Sequence, residues 1–217
     1  MKKFTAIILG ILGLLLAQMA QAQGTLEVSN LGQTPTGSAA IGSDSWIAQT
    51  FVTGNNSGGY TLDSVQLLMD AASGSPGGFD VSIYSKTGDP HSFTSPGDTV
   101  HSSLGSLSGL DPSAGGLFTY TASGITLSPS TFYFVVVTAA TPISQGAYNW
   151  SAANSFTQNS WTIEDLYLSS SNGSSWSATL RQDVFQMAVY TTATPEPATL
   201  TLAGLGVACL IFRRCRQ

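Results

Sequence analysis

The chain has 217 residues, with 12 acidic and 7 basic side chains for a formal net charge of −5, two histidines and two cysteines. That length suffices for one domain with a real core plus terminal segments. The acidic surplus argues against nucleic acid and anionic lipid as partners of the folded part. Both cysteines, Cys209 and Cys215, lie near the C-terminus, so the rest of the chain must fold without a disulfide.

Residues 1–22 open with Lys2-Lys3, run apolar over 4–16 and end Ala20-Gln21-Ala22. A basic start, an apolar middle and a small-x-small end predict a secretory signal peptide, with Gln23 as the mature N-terminus. Residues 23–194 then form the expected exported domain. Its basic residues are Lys86 and Arg181, against eleven acids, for a net −9.

Within 23–194 helix periodicity is almost absent, and short alternating or β-branched runs recur between Gly, Ser and Asn clusters. They predict strands over 46–53, 60–70, 79–85, 117–122, 131–139, 161–169 and 184–191. Val65, Leu67 and Met69 share one face, as do Phe79, Val81 and Ile83. Residues 132–137 are continuously apolar, as in a central strand buried on both faces. Gly54-Asn55-Asn56-Ser57-Gly58-Gly59 has the composition of a flexible hairpin loop, and 86–100 that of an exposed irregular loop. Seven or more short strands in one domain predict an all-β fold, an antiparallel β-sandwich of jelly-roll type.

The chain closes with Pro195-Glu196-Pro197, an uncharged run over 198–212, and Arg213-Arg214-Cys215-Arg216. The prolines bias the chain toward an extended, accessible form. The apolar run, as a helix, spans about 22 Å, short of the roughly 30 Å hydrocarbon core. Arg213, Arg214 and Arg216 form a stop-transfer cluster that places the C-terminus in the cytoplasm. Such a tail is a temporary anchor.

In its order, spacing and terminal position, segment 195–217 resembles the PEP-CTERM sorting signal of exopolysaccharide-producing Gram-negative bacteria. That resemblance implies an exosortase, a membrane-embedded cysteine protease, as the partner that recognises Pro195-Glu196-Pro197 and cleaves near it. A second resemblance lies upstream. Trp46-Ile47-Ala48-Gln49-Thr50-Phe51, Tyr60-Thr61-Leu62-Asp63-Ser64-Val65 and Thr131-Phe132-Tyr133-Phe134-Val135-Val136 look like the choice-of-anchor exported domains, type R in particular, over 45–190. That name implies varied anchors and no activity.

No catalytic set emerges. His91 and His101 both stand beside turn residues, and Gly105-Ser106-Leu107-Ser108-Gly109 has leucine where a nucleophile elbow needs serine. No calcium-loop pattern or zinc spacing occurs, which leaves no metal or cofactor assigned; Glu164-Asp165 is the acid pair that a sandwich-edge calcium site would use. Among four tryptophans, Trp46 and Trp161 open strands and fit a core. Trp150 and Trp176 sit among polar residues, where an indole is either a core plug or a stacking platform for sugar. The expected protein is a non-enzymatic, exported envelope or exopolysaccharide-matrix component, structural or adhesive. A module for neutral glycan is the alternative, and a secreted hydrolase with converging carboxylates stands behind it.

Overall fold

The computed structural model describes residues 24–89, 99–154, 160–180 and 183–195. The expected signal peptide over 1–22, His91, Arg181, Glu196, Pro197, the apolar run and its three arginines lie outside those residues. The described residues contain no helix, hence none long and apolar enough to cross a membrane.

Fourteen strands lie among the described residues. The first seven are β1 (Thr25–Ser29), β2 (Gly37–Ile41), β3 (Trp46–Val52), β4 (Tyr60–Gly74), β5 (Phe79–Lys86), β6 (Val100–Leu107) and β7 (Gly116–Thr121). The rest are β8 (Thr126–Leu127), β9 (Phe132–Ala139), β10 (Gly146–Ala153), β11 (Thr162–Ser170), β12 (Ser177–Leu180), β13 (Val184–Phe185) and β14 (Met187–Ala193). They form two antiparallel sheets. One has six strands in the order β12-β11-β3-β9-β5-β6. The other has eight, along the path β1-β14-β4-β10-β13, with β7 and β8 also on β4 and β2 also on β10.

The alternating runs became strands because each puts one apolar face between the sheets. Val65, Leu67 and Met69 of β4 meet Val81 and Ile83 of β5 and Val135 and Val137 of β9 in one buried cluster. Each fully buried aliphatic side chain contributes about 1.5–3 kcal/mol. β9 is apolar over 132–137 because both its faces are covered there. Phe134 and Val136 point to the outer side, where Ala48, Val100 and Leu168 join them under half-buried Trp46, Tyr84 and Trp176. Stacked Phe51 and Trp161, centroids 6.2 Å apart, fill one end of the main core, and Tyr60 meets Trp161 edge-on at 4.7 Å.

Two loop expectations need correction. Residues 54–59 are not a hairpin loop: β3 is already paired on both sides, by β9 and β11, so the chain crosses to the other sheet to begin β4. Nor is 86–100 irregular at its ends. Lys86 and Val100 pair across β5 and β6, both are buried, and Thr87 and Thr99 extend the ladder.

The strand expected over 184–191 is broken at Gln186, where the chain leaves β10 for β4. A strand that changes partner inside a sheet orphans backbone groups, and side-chain amides take them up. Gln49 Oε1 accepts Phe185 N–H at 3.0 Å, and Asn30 Nδ2 donates to Phe185 O at 3.1 Å. Asn30 also brackets Met187, its Oδ1 accepting that residue's N–H at 2.7 Å and its own N–H donating to Met187 O. Gln186 itself donates through its N–H to Ser151 O, and its carbonyl accepts from Leu68 N–H and Trp150 Nε1. Asn30, Gln49 and Gln186 are at most 1% exposed.

Gln49 does a second task. β11 holds two more residues than β3 between the pairs Ile163↔Phe51 and Tyr167↔Gln49. In that bulge, Gln49 Nε2 donates to Glu164 O at 2.9 Å and Leu166 O at 3.2 Å. Gln49→Leu, which keeps the volume, therefore leaves an N–H and two carbonyls unpartnered. The expected loss is about 2–4 kcal/mol, read as a lower denaturation midpoint in urea; an unchanged midpoint contradicts this account.

Candidate functional site

The two candidate tryptophan platforms separate. Trp150 is 0% exposed: its indole stacks on Phe185 with centroids 4.8 Å apart, and Nε1 donates to Gln186 O at 3.0 Å. Neither ring face is open to a ligand, so Trp150 is a core residue. Trp176 is half-buried on the outer side of the six-stranded sheet. It meets Trp46 edge-on at 6.5 Å, and Nε1 donates to Gly173 O at 3.0 Å. Gly173 stands at φ +74°, and a Cβ there would run into the Trp46 ring, 2.7 Å from its nearest carbon. The 170–176 turn is thus moulded round the two indoles, with Ser170 Oγ and Asn172 Oδ1 accepting its amides.

Several of the described acids hold parts of the fold. Asp44 accepts Ile143 N–H, Asp63 accepts Thr192 Oγ1, and Asp183 accepts Thr36 Oγ1. Asp111 receives Gly78 N–H, Phe79 N–H and the Tyr148 hydroxyl at 2.9 Å. Burial, then the hydrogen bond to Asp111, pushes Tyr148 up to about 12; burial and the charge of Asp111 raise Tyr120 as well. Both phenols stay protonated donors at neutral pH. Among the described residues no three His, Cys, Asp or Glu side chains gather as a metal site. His101 is exposed on β6, while Leu107 is buried in the core and Ser106 Oγ bonds Ser82 Oγ.

One groove of about 430 Å³ opens beside β5 and β9, with Ser85, Lys86, Ser128, Pro129, Phe132 and Tyr133 in its wall. Lys86 Nζ is bound there to Thr87 O and Asp89 O. Among the described residues no carboxylate lines this groove, and none there supplies the facing acids of a glycoside hydrolase.

Pro195 is exposed and is the part of Pro195-Glu196-Pro197 that the structure describes. The loop beside it, 54–59, carries a feature that composition alone did not reveal. Asn56 Nδ2 reaches both Gly59 O and Thr194 O, and Thr194 N–H donates to Gly59 O. A glycine pair between serine and tyrosine, two residues after an asparagine, is ambiguous in sequence between free hinge and close backbone approach; here it is the second.

Two outcomes test these assignments. Trp150→Ala should destabilise the domain by about 3–5 kcal/mol, whereas Trp176→Ala, which uncovers a half-buried ring, should cost clearly less; thermal melts compare them. Glu164 is half-buried, and its carboxyl is raised by burial and then by Asp165. A carboxyl raised on folding contributes stability below the ordinary glutamate value of about 4.3 and loses it as pH rises through the folded value. Glu164→Gln should therefore raise the melting temperature at pH 7 and leave it unchanged near pH 3.

Residues 193–217 match the family model of the PEP-CTERM protein-sorting motif. No curated protein and no solved structure matches the chain. The motif found at its end is the sorting signal of exported proteins that are held at a membrane until an exosortase processes them.

Proposed function

We propose that this protein is an exported β-sandwich that exosortase trims at segment 195–217, and that it then serves at the envelope surface or in the exopolysaccharide matrix in a structural or adhesive role. One coincidence carries the reading. The last strand, β14, closes at Ala193, and the sorting motif begins on the same residue. The folded cargo thus ends where the routing signal starts.

A non-enzymatic role is supported by the way the acids are used: Asp44, Asp63, Asp111 and Asp183 each hold a backbone or hydroxyl group of the fold. Neutral polysaccharide is the matrix component that suits a domain at −9, since polyanions gain nothing there from counterion release. The half-buried Trp46–Trp176 pair beneath a serine-rich turn favours the second reading, a carbohydrate-binding module. The chain crosses between the sheets at most of its connections, from β3 to β4, β4 to β5, β6 to β7 and β8 to β9 among others. A jelly-roll connection and the choice-of-anchor likeness of 45–190 belong to this proposal on that ground.

Processing is tested by intact-mass measurement of the exported protein from a host that bears an exosortase. The expected species lacks the residues after about Pro197, and Glu196→Ala leaves the tail in place. A wild-type species that ends at Gln217, or tail loss unaffected by Glu196→Ala, defeats the proposal.

A further inference from the structure

The sheet does not stop at the last pair of β14. Ala193 pairs with Tyr60, and the next amide, Thr194 N–H, donates to Gly59 O at 3.0 Å. The ladder thus runs one residue further into the matched sorting segment. Asn56 closes over it, Nδ2 donating to Gly59 O at 2.7 Å and to Thr194 O at 3.2 Å.

The turn that carries Asn56 is itself held. Asn56 N–H donates to the Tyr60 hydroxyl at 3.1 Å, and Gly59 N–H returns to Asn56 O at 2.8 Å. Tyr60 is buried against Trp161, and Gly54 lies so close to both rings that a Cβ there would stand 2.6 Å from the Tyr60 hydroxyl. Gly58 supplies the room. A Cβ at that position would overlap Thr194 O and lie 3.5 Å from the carbonyl carbon of Pro195. Gly59 supplies the bend, at φ +73°, which residues with a side chain rarely adopt.

We propose that the 54–59 turn is a seat that holds the start of the sorting segment against the domain, and that exosortase acts on the chains in which residues 194–195 have left it. The inference rests on the reading of this chain as an exosortase substrate. A protease grips its substrate as extended chain, by the backbone edges and the side-chain faces. In the seat, the N–H and C=O of Thr194 are committed to Gly59 and Asn56, and the backbone of Thr194 and Pro195 passes close beside Gly58. Enzyme and seat therefore compete for the same stretch. Two hydrogen bonds of ordinary net strength keep the released fraction at about one chain in ten or fewer, and the apparent affinity for the enzyme falls by that fraction. The seat is a brake on tail removal that only a folded domain possesses.

The experiment follows the full-length chain in a host that bears an exosortase, by pulse labelling and intact mass. Asn56→Ala removes the clasp, Asn56→Asp keeps its shape without a donor, and Gly58→Ala removes the room. Each should speed tail loss about three- to tenfold. Ser57→Ala, at the exposed tip, should leave the rate at that of the wild type. Amide exchange of the purified full-length chain separates release from unfolding: Thr194 should lose protection in the three variants while Val189 of β14 keeps it. Wild-type rates in the variants, or slower tail loss with Thr194 released, overturn the seat and leave processing standing. Faster tail loss that comes with lost protection at Val189 in every variant assigns the effect to unfolding and also overturns it. A wild-type chain that retains Gln217 overturns both.

Discussion

The architecture depends on how three residues, 185–187, dispose of their backbone groups. At this point the chain exchanges β10 for β4 as its neighbour, in a part of the molecule from which water is excluded. An unpartnered buried N–H or C=O costs on the order of 1–3 kcal/mol, so six of them would erase the net stability of an ordinary domain. None is orphaned. Asn30 and Gln49 cover Phe185 and Met187, and the neighbouring strands cover Gln186. The Gln186 side chain then binds Ser151 Oγ and Gln33 O, tying the 30–33 turn to the junction. Buried amides here are the joints between layers, and the apolar core fills the space they define.

That division explains what the sequence disclosed. β4, β5 and β9 were legible because Val65, Leu67, Met69, Val81 and Ile83 keep strict alternation and 132–137 keep continuous apolarity. β2, β6 and β12 were not, since GSAAI, VHSSLGSL and SATL are built from small residues that turns also favour. Gln49 and Gln186 were invisible for a deeper reason. A glutamine at an inward position looks like a surface residue until its partners, more than a hundred positions away in part, are known. β10 did carry a signal: Tyr148, Trp150 and Ala152 alternate with Asn149 and Ser151. Its polar neighbours leave Trp150 open between core plug and stacking platform, and the alternation points to the core, where the indole lies.

The candidate site divides the same way. The motif Pro195-Glu196-Pro197 is local in sequence, and its order and spacing sufficed to read it. The seat beside it is assembled from residues that meet across 138 positions, and the composition of Gly54-Asn55-Asn56-Ser57-Gly58-Gly59 discloses only flexibility. Composition reports what a backbone is free to do; only the approach of Thr194 shows what that freedom is used for.

The place of β14 has a consequence for timing. It lies between β1 and β4, with Thr191 opposite Thr25 on one side and Leu62 on the other. Until β14 arrives, β1 therefore has no partner in the eight-stranded sheet, and one side of β4 stays open. Loop-closure entropy makes such distant pairings slow to form. In an exported chain that emerges N-terminus first, β14 leaves the membrane next to the segment that lodges there. Closure of the sheet thus belongs to the moment after translocation, with the nearly finished domain already tethered beside the bilayer.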